Sequence, residues 1–201
     1  VLFERYADGW TSDRPHALAS GTKSFAGVLA MCAVEDGLIG SLDDRVSDVL
    51  TEWKGDPRKE RITVRQLLTL SSGLKADDRS LGAAGAGIRD LGGVSVLAGL
   101  RRVPEDRFGA AIGVEAVFEP GEKFEYGPTH FYAFGAYLQR VLEKSGRPEK
   151  TYWEYLSARV LEPVGIGVEK DRFAPDGKGQ PNLPGGGHLT AREWAKFGQF
   201  V

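Results

Sequence analysis

Ser20 and Lys23 stand three residues apart in Ala19-Ser20-Gly21-Thr22-Lys23-Ser24-Phe25, and on a helix that spacing puts both side chains on one face. A serine hydroxyl beside a lysine amine is the least a chain needs for a nucleophile with its own base. The chemistry would be acyl transfer, in which the hydroxyl attacks a carbonyl and the amine takes its proton. The same spacing recurs in Ser72-Gly73-Leu74-Lys75, so the pattern alone does not choose between the two pairs.

The elements that carry them do. From Thr22 the chain runs Lys23-Ser24-Phe25-Ala26-Gly27-Val28-Leu29-Ala30-Met31-Cys32-Ala33-Val34. Phe25, Val28, Leu29 and Cys32 recur at helical spacing, and Gly37 supplies the stop. The spacing predicts a helix from Ser20 to about Glu35, with Ser20 at its start. Backbone N–H groups there are unpaired and the helix dipole favours negative charge, which suits a developing oxyanion. The second pair ends a helix instead. Thr63-Val64-Arg65-Gln66 is a capping box, Leu67, Leu68 and Leu70 follow, and the helix is expected over Thr63–Ser71 with Gly73 breaking the run. Across such a break Ser72 and Lys75 need not share a face. Taken singly, Ser20 is a helix cap and Lys23 a solvated lysine, so the catalytic reading needs more residues than these two.

Further helices are expected where polar caps precede apolar spacing. Pro128 and Thr129 open one that carries Phe131, Phe134, Leu138, Val141 and Leu142 and ends near Gly146. Thr151 with Glu154 opens another, which Pro163 should end. Thr190 with Glu193 opens a last one bearing Trp194, Phe197 and Phe200. Val1-Leu2-Phe3-Glu4-Arg5-Tyr6 reads as a strand. Leu81 to Val114 is glycine-rich, with short apolar stretches such as Val94 to Leu100, and reads as a surface excursion with one or two short helices. Asp176 to Gly187 reads as a second loop.

Composition narrows the function classes. Lys and Arg number 26 against 28 Asp and Glu, a net charge of −2, with no basic run to attract nucleic acid. No apolar stretch reaches membrane-spanning length and no signal peptide opens the chain. Cys32 is the single cysteine, so no internal disulfide is possible, and its place on the apolar stripe makes it a small core residue. His16, His130 and His188 lack the close spacing of metal sites, and His130 and His188 read as surface or loop residues. Neither a metal nor a cofactor is expected.

Five segments then act together. Ala19–Ser24, Gly37–Val46, Ile62–Leu74, Glu119–Tyr126 and Gly185–Glu193 follow one another in an order that resembles the serine β-lactamase and penicillin-binding-protein superfamily. The nearest likeness is to its branch of class C β-lactamases, D,D-peptidases and esterases. The resemblance covers most of the chain. It implies an α+β fold, a helix-rich domain plus part of an antiparallel sheet, filling residues 1–201 as one domain. The family's Tyr-x-Asn motif falls on Tyr126-Gly127-Pro128, with proline in place of asparagine. Its Lys-Thr-Gly-like triplet, expected after Gly185–Thr190, has no counterpart before Val201, which implies a truncated domain lacking the C-terminal strands.

The resemblance implies a serine hydrolase working through an acyl-enzyme on a small ester, amide, peptide or lactam. Ser20 would be the nucleophile, Lys23 the base and Tyr126 the proton carrier, with Gly127 and Pro128 on the substrate. The proton would go to a neutral Lys23 or to a Tyr126 phenolate beside a charged one. It implies a periplasmic or secreted location. The alternative is a non-catalytic binding module on the same fold, favoured by Pro128 and the missing triplet. A Ser-His-Asp hydrolase is disfavoured, because Gly-x-Ser-x-Gly is absent.

Overall fold

Three helices begin where a threonine hydroxyl caps the backbone and the residue three positions on reaches back. The computed structural model describes residues 3–76, 81 and 105–201. In it Thr63 caps α2 (Val64–Leu68), Thr151 caps α5 (Tyr152–Leu156) and Thr190 caps α7 (Ala191–Phe200), with Gln66, Glu154 and Glu193 closing the boxes. A 3₁₀ turn over Ala19–Lys23 leads into α1 (Ser24–Glu35). Asp106 caps α3 (Arg107–Gly113) through the Gly109 N–H, and α4 (Thr129–Lys144) starts from Pro128. Among the described residues no helix is long and apolar enough to cross a membrane.

α1 carries no charge until Glu35, and it packs accordingly. Phe25, Ala26, Leu29, Ala30, Cys32 and Ala33 are buried, while Gly27 and Met31 stay open on the opposite side. Gly37 ends the helix in the left-handed region at φ +67°. Its N–H meets the Val34 carbonyl and the Leu38 N–H meets the Ala33 carbonyl. This is a Schellman closure, which glycine adopts without a Cβ penalty. Cys32 is a free, buried thiol, and burial raises its pKa.

α2 stops earlier than its sequence suggests. It ends at Leu68, and the left-handed residue is Leu70, at φ +59°. The Leu70 N–H reaches the Leu67 carbonyl and the Ser71 N–H reaches that of Gln66, so a leucine takes the place glycine usually fills. Such a conformation costs a non-glycine residue about 1–2 kcal/mol. Gly73, also left-handed at φ +80°, serves a close approach instead: a Cβ there would lie 2.2 Å from the Phe118 carbonyl oxygen.

Other sequence expectations are corrected here. Pro163 does not end its helix. α5 continues through a π-helical stretch (Ser157–Leu161) into α6 (Glu162–Val164), and Gly165 at φ +70° makes the stop. The wider turn loosens the hydrogen-bond ladder just where proline brings no N–H. Phe3 to Ala7 form no strand, and Phe3 is largely exposed. Glu4 is tied by its side chain to Arg192, so this stretch is held by an ion pair and not by a ladder. Val1, Leu2 and most of Leu81–Val114, Val94 to Leu100 included, fall outside the described residues; α3 is one short helix within that span.

The two strands described, β1 (His16–Ala17) and β2 (His188–Leu189), pair antiparallel, His16 opposite Leu189 and Ala17 opposite His188. His188 is thus a strand residue and not a loop one. The Leu18 N–H extends the pairing to the Gly187 carbonyl at 2.8 Å. This ribbon brings the residues after 182 against the start of α1. Phe25, Leu29, Trp53, Ile62, Leu67, Tyr132, Phe134, Tyr152 and Phe173 form one continuous core. Each such side chain contributes about 1.5–3 kcal/mol by leaving water. The resulting architecture is α+β and helix-rich, with a small antiparallel sheet.

Candidate active site

Ser20 sits on a strained corner. Ala19 before it holds φ +46°, and Ser20 follows as an exposed residue in the first turn leading into α1. The corner lifts the hydroxyl off the body of the fold while leaving it where first-turn N–H groups point outward. Lys23 returns over the same turn and places Nζ 3.0 Å from Ser20 Oγ. The ammonium also donates to the Pro184 carbonyl oxygen at 2.6 Å. Its other neighbours are rings: the Tyr126 centroid lies 4.9 Å away and that of Phe131 5.7 Å away.

Tyr126 completes the cluster. Its side chain is exposed. Hydrogen bonding to Ser20 holds its phenol below the ordinary tyrosine pKa, opposed by desolvation and aided by hydrogen bonding to Lys23 and by that residue's charge. The structure therefore brings Ser20, Lys23 and Tyr126 to one place from two distant segments. Gly127 and Pro128 stand differently. Both are buried, and a Cβ on Gly127 would lie 2.0 Å from the Ala76 carbonyl oxygen. At position 128 a proline lacks an N–H and a polar side chain, which a helix start tolerates.

The second serine–lysine pair is separated from this cluster. Ser72 is wholly buried with Oγ 2.9 Å from His130 Nδ1, whereas Lys75 is exposed. His130 is correspondingly a buried residue of α4 and not a surface one. The Ser72–His130 pair has the composition of a nucleophile and base, but neither residue is open to solvent and the far ring nitrogen meets a backbone carbonyl.

Residues absent from the sequence reading hold the cluster in place. Thr22, buried, donates from Oγ1 to the Ala19 carbonyl at 2.7 Å and accepts the Gly187 N–H at 3.0 Å. Asn182 accepts the Gly186 N–H at its carbonyl and the Tyr132 hydroxyl at Oδ1, each at 2.8 Å. These bonds fix the turn that presents the Pro184 carbonyl to Lys23. The sequence signal for this turn is Pro184-Gly185-Gly186-Gly187, where a Cβ on Gly186 would lie 2.6 Å from Asn182 Cβ. Among the described residues no group of three or more His, Cys, Asp or Glu side chains is placed to hold a metal ion.

The Beta-lactamase family model matches residues 1–198. Among solved structures the chain is similar to a candidate beta-lactamase from Bacteroides dorei DSM 17855, at 25% identity and TM-score 0.70, covering 99% of this chain and 53% of that one. It is similar to an octameric penicillin-binding protein homologue from Pyrococcus abyssi at 27% identity and TM-score 0.68, covering 94% and 45%. A candidate 6-aminohexanoate-dimer hydrolase from Bacillus anthracis shares the fold at 20% identity and TM-score 0.68, covering 98% and 50%. The chain spans about half the length of these structures. No curated protein matches it.

Proposed function

The chain belongs to the beta-lactamase family, a family of serine hydrolases, and on that premise we propose that Ser20 is acylated by a small ester, amide or lactam. The observation that carries this is the 3.0 Å approach of Lys23 Nζ to Ser20 Oγ with the Tyr126 phenol against both. Tyr126, as phenolate beside the Lys23 ammonium, takes the hydroxyl proton as Oγ attacks the carbonyl carbon. Lys23 donates toward Oγ and the Pro184 carbonyl, so its charge stays beside the phenolate that it stabilises. The carbonyl oxygen becomes an oxyanion at the first turn before α1, where the Ser20 N–H is one donor. Collapse breaks the bond to the leaving group, which takes the proton from Tyr126. Water then attacks the acyl-enzyme by the same route in reverse order and releases the acid.

Pro128 shapes the preference among substrates. An asparagine there would offer a side-chain amide to an amide or lactam; proline offers none, and a lost hydrogen bond costs about 1–3 kcal/mol. A small activated ester needs less of that grip, so short p-nitrophenyl esters are the favoured substrates and penicillins poor ones. Pro128 also motivates the second reading, a binding module without turnover. The relatives are about twice as long, and the reading places the third motif in a part of the domain outside these residues, packed on the open side of α1 at Gly27 and Met31. It carries with it a periplasmic or secreted location. Hydrolysis of p-nitrophenyl acetate and benzylpenicillin by the protein and by its Ser20→Ala variant tests this. Ester turnover that the variant abolishes supports the hydrolase; efficient penicillin turnover overturns the ester preference; turnover of neither supports the binding module.

A further inference from the structure

Tyr126 is exposed, yet the backbone on either side of it is pinned. Ahead of it, the Glu125 N–H donates to the Leu70 carbonyl at 2.9 Å and the Glu125 carbonyl meets His130 Nε2 at 2.8 Å. Behind it, the Thr129 N–H reaches the Ala76 carbonyl at 3.2 Å, and its hydroxyl reaches those of Lys75 and Ala76 at 2.8 and 2.9 Å. The left-handed Leu70 is the residue that offers its carbonyl to Glu125. Of these contacts, the one made by His130 is a side chain reaching back five residues from the first turn of α4.

The hydrogen bonds set its tautomer. A carbonyl oxygen only accepts, so Nε2 carries the proton and donates to Glu125. Nδ1 is then an acceptor, and the Ser72 hydroxyl donates to it. Ser72 Oγ in turn accepts the Leu74 N–H at 3.3 Å. Burial lowers the His130 pKa, opposed by the Glu125 carbonyl and the Glu125 charge, which keeps the ring neutral and both bonds in place.

We infer that His130 is a positioning residue: its imidazole, oriented by Ser72, holds the Glu125 carbonyl and so sets where the Tyr126 phenol stands beside Ser20 and Lys23. The inference rests on the reading of Tyr126 as the proton carrier. It gives the second serine–lysine motif a use, since Ser72 serves the active tyrosine from the interior. Loss of the Nε2 bond frees the Glu125 peptide to rotate, and Tyr126 with it, while the core around α4 is left in place.

Two variants separate this role from general support of the fold. Glutamine can offer an N–H near the position of Nε2, whereas asparagine matches Nδ1 and cannot reach Glu125. The Tyr126 ionisation is read from tyrosinate absorbance, as the difference between each protein and the same protein carrying Tyr126→Phe. In the wild type Tyr126 should titrate below the ordinary value of 10.0. His130→Asn should move it up toward that value and slow p-nitrophenyl ester hydrolysis by about tenfold, the kinetic equivalent of one modest hydrogen bond. His130→Gln should stay near the wild type in both. Ser72→Ala, which keeps the ring but not its orienting donor, should move the titration the same way by less, and it carries the test if His130→Asn does not fold. Equal titrations in the asparagine and glutamine variants, an unmoved titration in Ser72→Ala, or a wild-type Tyr126 at the ordinary value would each overturn the inference. If no ester is hydrolysed, the proposed function fails, while the titration still decides the positioning role.

Discussion

Lys23 donates to the carbonyl oxygen of Pro184 at 2.6 Å, a contact across 161 residues of chain. It joins the turn that starts α1 to the glycine-rich turn before β2, and it leaves the ammonium aimed at Ser20 Oγ. Lys23 is thus positioned by a backbone atom, whose placement depends on Asn182, Tyr132 and Thr22.

Replacing Lys23 by methionine removes the positive charge beside the phenol. Tyr126 is held low by Ser20 first and by Lys23 next, so its pKa should rise in Lys23→Met. If the phenolate is the base, acylation grows with pH as Tyr126 ionises, and this limb should shift to higher pH in the variant. The plateau rate should fall by about 10²–10⁴-fold, the usual scale of general acid–base assistance. A pH–rate profile for ester hydrolysis checks both. An unshifted limb would assign it to another group.

Tyr132→Phe deletes a buried hydroxyl and leaves Asn182 Oδ1 without its donor. The expected loss of stability is about 1–3 kcal/mol by urea denaturation. Because Asn182 holds the Pro184 turn, the ester-hydrolysis rate should also fall in the folded variant. A stability loss with full activity would show that the turn keeps its shape without Tyr132.

Gly127→Ala tests how closely the Tyr126 segment lies on Ala76. A Cβ has no room there, with the Ala76 carbonyl oxygen 2.0 Å away. The segment must shift, and a misplacement of this size costs about a hundredfold in rate. Steady-state kinetics against an ester substrate should show it mainly in kcat. Unchanged kcat would mean that Ala76 yields and Tyr126 does not.

Acid stability should depend on Glu193, which closes the Thr190 cap and pairs with Arg172. Burial acts to raise its pKa, but hydrogen bonds from Arg172, Thr190 and Gly167 prevail and bring it from 4.5 to about 2. A carboxylate with a depressed folded-state pKa contributes stability above its unfolded pKa, and that contribution is lost as pH falls through the folded one. The protein should therefore lose stability between pH 4.5 and about 2. Glu193→Gln should cost about 1.5–3 kcal/mol at neutral pH, the scale of hydrogen bonds to a charged group, and flatten this part of the profile. Thermal melts across pH check it; equal slopes in the two proteins would contradict the assignment.

What the sequence makes legible is what short-range chemistry decides. The boxes at Thr63, Thr151 and Thr190 lie within four residues each, and the helices start there. The Ser20–Lys23 spacing foretells a contact that needs only one helical turn. The rest depends on distant partners. Pro184 acts through a carbonyl, a group every residue has, so its type gives no sign of the role. His130 lacks a metal-like spacing, and its burial follows from how α4 packs on α2 and α3. Leu70 in the left-handed region and Pro163 inside a helical run both go against local preference. Each is imposed by tertiary structure, Leu70 in presenting its carbonyl to Glu125.

The central claim is that Ser20 is the nucleophile, and the most direct measurement is the site of covalent modification. A fluorophosphonate probe incubated with the protein and followed by peptide mass spectrometry should place one adduct on Ser20 and none in the Ser20→Ala variant. Labelling should slow sharply in Tyr126→Phe. An adduct on Ser72 or Ser24, or an undiminished adduct in Ser20→Ala, would contradict the account.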